Sequence, residues 1–392
     1  MKLKYLFSII TVFFSATTLL YTSEVDIKTF GTIGTVYNSN SNYIYRKDIF
    51  QKDGSSGDLS FKTDTLLGLQ ASLTLNENFS LLAQGIVNNN YHDEVETSID
   101  WGYLKYDSGE NIVIKIGRIR TPYYKNSENL NVGYSNLMIR ESVEVYGQVP
   151  FSSYNGIEVI YSNIIDKYFY TLQANYGEEG LNVPLHSINQ EAKVEIDNLY
   201  AINLTFGTTA LQARFTYLNA DITASSASLE QLFGGLRTSG LNTLVDRYEF
   251  KDKNSEYLGI GLFLDYNNIL FSTEYGRRKI SSFFADIHGY YTTLGYSFDK
   301  FIPFVTYAKS EMDTTTYDAN TGVASLDTLL RAQNLAQSSK TVGLKYFINE
   351  NFDLKVQYEN IVPKGPDGSY HLRSTKELQE LNVLSFALDF IF

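Results

Sequence analysis

The chain contains no cysteine. That excludes a disulfide scaffold and any thiolate metal site. Its four histidines, His92, His186, His288 and His371, are widely spread and form no H-x-x-x-H pair. No G-x-S-x-G and no phosphate-binding glycine loop occurs. No catalytic residue, metal site or cofactor is therefore expected. Basic residues are scarce: 32 Lys and Arg face 44 Asp and Glu, a net charge of −12. An acidic chain of this kind lacks the basic face a nucleic-acid partner requires. Proline numbers only 6 of 392 residues, which with 43% apolar content argues against disorder. No stretch beyond the N-terminus is apolar enough for a membrane-spanning helix.

The N-terminal 23 residues stand apart. Lys2 and Lys4 precede an apolar and hydroxylic run over 6–20. This is the pattern of an export signal peptide, 1–23, removed to leave 24–392 as one mature unit. A retained anchor is the other reading, but the run is short for a span.

What the chain does have is tyrosine (31), phenylalanine (25) and glycine (27), a composition that favours strands. The C-terminal window 381–392 shows why. Leu384, Phe386, Leu388, Phe390 and Phe392 share one parity, while Val383, Ser385, Ala387, Asp389 and Ile391 share the other. Alternation of that kind is the period of a strand with one apolar face. It recurs in sixteen windows, near 27–37, 61–75, 79–88, 95–106, 111–119, 156–162, 167–176, 199–206, 210–219, 256–266, 268–278, 285–298, 301–309, 340–348, 352–360 and 381–392. The connections alternate. Tight ones such as Asn76-Glu77-Asn78, Asn267-Asn268 and Asn349-Glu350-Asn351 carry hairpin-turn chemistry. The intervening ones are mostly long and polar, including 119–155, 177–198, 220–255 and 310–339.

Short turns at one end and long loops at the other define a transmembrane β-barrel of about sixteen strands. Closure leaves no unpaired backbone in lipid. Aromatic residues beside the short turns, such as Phe79, Tyr168, Phe206, Tyr266 and Phe352, fit an interfacial girdle. A secreted β-sandwich is the competing architecture. Prolines fall in the long loops except Pro303, near the start of a strand. Within the loops, 226–245 and 322–338 have helical apolar spacing.

At this point the chain resembles the bacterial outer-membrane porin superfamily, in its sixteen-stranded general form. Three features carry the resemblance. Phe386, Leu388, Phe390 and the terminal Phe392 resemble the signal read by the barrel assembly machinery. The third long loop follows strand five, where porins fold a loop into the lumen. The junction Ile114-Lys115-Ile116-Gly117-Arg118-Ile119-Arg120-Thr121-Pro122 resembles the basic strand entering that loop. The resemblance implies an outer-membrane location in a Gram-negative cell, contact with lipid and lipopolysaccharide, a homotrimer, and a water-filled channel passing small hydrophilic solutes and ions. A substrate-specific channel is the alternative, and a non-channel barrel a third. The second long loop, 88–94, departs from the pattern, being too short to latch onto a neighbouring subunit.

Polar parity marks the inward face of a wet barrel. It selects Glu96, Asp100, Glu158, Arg214, Asp265, Glu274, Lys345, Asp353, Lys355 and Asp389 as pore-lining candidates. Lys115, Arg118, Arg120, Lys125, Glu128, Arg140, Glu141 and Glu144 on and around the third loop are the candidates for the constriction. Loop charges facing basic wall residues would set a transverse field that selects polar solutes. Arg118 has lipid-face parity, and Gly117 beside it is a candidate bulge that would re-aim it.

Overall fold

The computed structural model describes residues 24–51, 54–89, 95–149, 151–185, 190–312, 320–364, 370–373 and 377–392. The proposed signal peptide, 1–23, lies outside them, as does most of the second long loop, 90–94.

Sixteen long strands and a two-residue piece, Leu59–Ser60, form one antiparallel sheet. We number the long strands β1 (Val25–Asn38), β2 (Leu66–Thr74), β3 (Phe79–Asn89), β4 (Val95–Asp107), β5 (Ile112–Arg120), β6 (Ser153–Ile165), β7 (Tyr168–Leu185) and β8 (Gln190–Gly207). There follow β9 (Leu211–Ser225), β10 (Lys253–Tyr266), β11 (Ile269–Ile280), β12 (Ile287–Tyr296), β13 (Phe301–Met312), β14 (Gln337–Phe347), β15 (Phe352–Pro363) and β16 (Leu381–Ile391). Each pairs with its sequence neighbours, and β1 pairs with both β2 and β16, so the sheet closes on itself. The terminal residue takes part: Phe392 and Thr29 exchange two backbone hydrogen bonds of 2.8 Å.

Tight turns join the strands at one end. Asn267 and Asn268 both have positive φ (50° and 68°), the requirement of a two-residue hairpin whose twist matches its strands. Along the strands exposure alternates. In β10, Leu258, Ile260 and Leu262 are exposed while Tyr257 and Phe263 are buried. The apolar parity therefore faces outward and the mixed parity inward, inverted relative to a soluble sheet. Pro303, third in β13, lies on the outer face.

Two sequence expectations need revision. The segment 177–198 is not simply a loop: β7 and β8 run for 18 residues each and continue as a paired hairpin to Leu185 and Gln190. Pro184 accordingly sits in β7. The helical spacing is realised as α-helices Ala227–Thr238, Asn242–Tyr248 and Ala324–Ala332. They pack through Leu229, Phe233, Val245, Leu326 and Leu330 against Ile280 and Phe283.

Candidate functional site

Strand β5 is short because the chain leaves the wall after Arg120. Backbone N–H of Thr121 still donates to Ser152 O at 2.9 Å, closing the neck of a long excursion before β6 begins. That excursion, 121–152, lies inside the barrel. One half is an apolar anchor: Tyr123, Tyr124, Val145 and Val149 are buried with Leu199, Ala201, Leu218, Tyr257, Tyr291 and Ala308 of the wall. A single helical turn, Val143–Tyr146, rests on β12 and β13. The other half is polar, centred on the 3-10 turn Gly133–Ser135.

The wall grips this loop from all around. Asn131 Nδ2 donates to Asp100 of β4 at 3.1 Å. Thr216 Oγ1 of β9 donates to Tyr123 O at 3.1 Å, and Arg214 Nη2 to Pro122 O. Glu274 of β11 accepts from Lys125 N at 3.0 Å and Tyr146 OH at 3.0 Å. Arg278 Nη1 donates to Gln148 O at 3.0 Å. Gln337 of β14 donates to Glu144 Oε1 at 2.9 Å. Gln357 of β15 accepts from Ile139 N at 3.1 Å, and Ser385 of β16 accepts from Arg140 at 2.6 Å. On the remaining side Val132 packs on Phe30, Leu66 and Ile86 of β1 to β3.

Most candidate residues fall into paired sets. Lys115 bridges Glu158 (2.8 Å) and Glu128 (3.7 Å). Arg120 pairs with Asp100, Arg140 with Asp64, Lys345 with Asp353 (3.0 Å) and Lys355 with Asp389 (3.0 Å). Glu96 and Asp265 have inward parity but are exposed near opposite ends of their strands. Arg118 stands apart, paired with Glu179 at 2.7 Å. The ladder passes through Gly117 on both sides without a register shift, so no bulge re-aims Arg118. Gly117 is instead required by its φ of 139°, with Gly102 O only 2.6 Å from where a Cβ would sit.

The expected transverse field, loop carboxylates against wall cations, is not the arrangement found. Glu128–Lys115 is the one ion pair of that kind among the described residues. Glu141 accepts from Asn126 Nδ2 at 2.7 Å, and Glu144 is fully buried. Burial pushes Glu141 up to about 7, helped by nearby Glu274 and opposed by Asn126, Lys125 and Lys355. Burial also raises Glu144. The wall cations mostly hold main-chain carbonyls, an acceptor with no side-chain signature in sequence. Arg278 and Asp64 were not among the sequence candidates. Arg278 shares the parity of Glu274, which is the signal that would have found it.

No protein-family profile matches the chain, and no curated protein matches it by sequence. The structure, a sixteen-stranded barrel with one loop drawn into the lumen, is of the porin architectural class. Salmonella typhi OmpF, solved with daunomycin, superposes with TM-score 0.58 at 13% identity, over 94% of this chain and 97% of that one. The anion-selective porin of Comamonas acidovorans gives 0.59 at 10% identity, over 94% and 100%. OmpT of Vibrio cholerae, folded in vitro and in a trimer form, gives 0.53 at 12% identity, over 94% and 99%. At these identities the likeness is one of fold.

Proposed function

We propose that the protein is an outer-membrane channel for small hydrophilic solutes and ions in a Gram-negative bacterium, not an enzyme. The observation that carries this reading is a closed barrel with an apolar exterior and a polar, charged interior organised around one infolded loop. The substrate-specific alternative gains from one feature: the loop meets the wall on so many sides that any path is narrow, and a narrow polar path discriminates by size and charge. Export by the 1–23 segment, assembly through Phe386, Leu388, Phe390 and Phe392, and a homotrimer belong to the same proposal. The four assembly residues share the outward face of β16, where Phe390 and Phe392 pack with Phe352.

Contact with lipopolysaccharide is supported by the outer surface. Arg277, Lys309 and Lys340 face outward on β11, β13 and β14, beside Tyr275, Tyr290 and Tyr307, and Lys309 also pairs with the outward Glu311 at 2.5 Å. Cations on a lipid face are costly unless an anionic headgroup meets them. The triple variant R277Q/K309Q/K340Q should lose most of the lipid phosphate that copurifies with the parent. Unchanged phosphate would remove this contact. Channel function itself is tested by planar-bilayer recording of the mature chain: salt-dependent conductance supports it, and silence under all conditions refutes it.

A further inference from the structure

Lys345 and Lys355 occupy directly opposed positions on β14 and β15, both on the inner face and both buried. An ammonium has three N–H donors, and here each finds three acceptors. Lys355 Nζ donates to Gly133 O (2.6 Å) and Met138 O (3.4 Å) and pairs with Asp389. Lys345 Nζ donates to Tyr134 O and to Asn136 O (3.0 Å) and pairs with Asp353. Two of each three acceptors are main-chain carbonyls of the loop tip, 133–138. The tip approaches so closely that a Cβ on Gly133 would lie 2.7 Å from Asp389 Cγ.

The tip is held differently from the rest of the loop. The anchor half is fixed by buried rings and aliphatic side chains, which water cannot replace. The tip has fewer such contacts, Val132, Met138, Tyr134 edge-on to Phe347 and Leu137 beside Gly295, and its main chain is held by hydrogen bonds, which water replaces at small net cost. Beside the tip is a solvent-open cavity of about 650 Å³ lined by Tyr134, Lys300, Phe347 and the turn residues Ile348, Asn349, Glu350 and Asn351. Tyr134 bounds this cavity and also stacks beneath Lys345, whose Nζ is 5.2 Å from the ring centre. The tip thus separates a wet vestibule at the short-turn end from the interior.

We propose that Lys345 and Lys355 form a latch that seats the loop tip across the lumen, and that conduction proceeds when 133–138 leaves the two ammonium groups while the anchor half stays in place. Lys345 and Lys355 are positioning residues in this scheme, acting on the path through the loop they hold. The inference rests on the channel reading above and adds to it that the path is gated.

The cysteine-free chain makes the test clean. The double variant G133C/D389C places two thiols at the seat, where a Cβ built on Gly133 lies 2.7 Å from Asp389 Cγ. Conductance in a planar bilayer should fall at least ~tenfold on oxidation, since a locked element no longer shifts between states, and return when reductant is added to the same membrane. The single variants G133C and D389C should not respond. In parallel, K345Q/K355Q should raise the open fraction by ~tenfold or more, the scale of lost charge-assisted hydrogen bonds, with heat-modifiable gel mobility confirming a folded barrel. Equal conductance of the oxidised and reduced forms, with the disulfide verified by mass, would overturn the latch and leave the channel reading standing. Failure of the disulfide to form would contradict the seat itself. Silence of the parent chain under all conditions would sink the channel reading and the latch together.

Discussion

Glu141 carries the most readable consequence at the scale of single residues. Its carboxyl is drawn up to about 7 by burial, against an ordinary value near 4.3 for a hydrated glutamate. Glu141 closely follows the tip and lies near Lys355 of the latch, so departure of 133–138 opens this carboxyl to water while the anchor half stays, and the seated loop holds a proton that the open one releases. The sign follows: between the ordinary value and about 7, rising pH favours the open loop, and above that window nothing further changes. Open probability should therefore climb across that range, by at most ~tenfold per pH unit, and then level off. Glu141→Gln should flatten the profile. Glu274, Lys125, Lys355 and Asn126 are the groups that tune Glu141, and a profile unchanged in E141Q would assign the titration elsewhere. Of the sequence candidates, inward wall charges were legible because parity alone places them. Their partners were not: a carbonyl of Asn136 or Gly133 leaves no mark in the pattern of side chains.

At the scale of elements, strands were legible wherever lipid lies on one side and the lumen on the other. The same logic explains what was missed. The segments at 177–185 and 190–198 pair as one hairpin, and Ala192, Val194 and Ile196 alternate there with Glu191, Lys193, Glu195 and Asp197. Its charged parity is the exposed one, the reverse of the wall strands, and a register shift at 197–200 separates the two patterns, so a search for apolar outward faces passes over it. The short β5 is the element that sets the loop's departure. It depends on Gly117, whose backbone angle and contact with β4 admit no side chain. Gly117→Val should break the β4–β5–β6 ladder locally and reduce the heat-modifiable, folded fraction on gels by several-fold. A variant that assembles like the parent would show that the close approach to Gly102 relaxes freely.

Across the whole molecule, the acidic balance says less about selectivity than it first suggests. Interior charges are mostly paired, so the net charge of the chain is not the charge of the path. Glu128 and Lys125 are exposed on the loop and remain the charges best placed to meet a solute. The outer surface divides into an apolar band and a cluster of outward charges, Arg277, Lys309, Glu311 and Lys340, on β11, β13 and β14. The central claim is that this barrel conducts through a lumen its own loop can close. Single-molecule recording in a planar bilayer tests it most directly. The expected record is brief, salt-dependent openings between a near-zero level and one or a few defined levels, more frequent at pH 7 than at pH 5. A steady, fully open conductance that ignores pH, or no conductance in any condition, would contradict it.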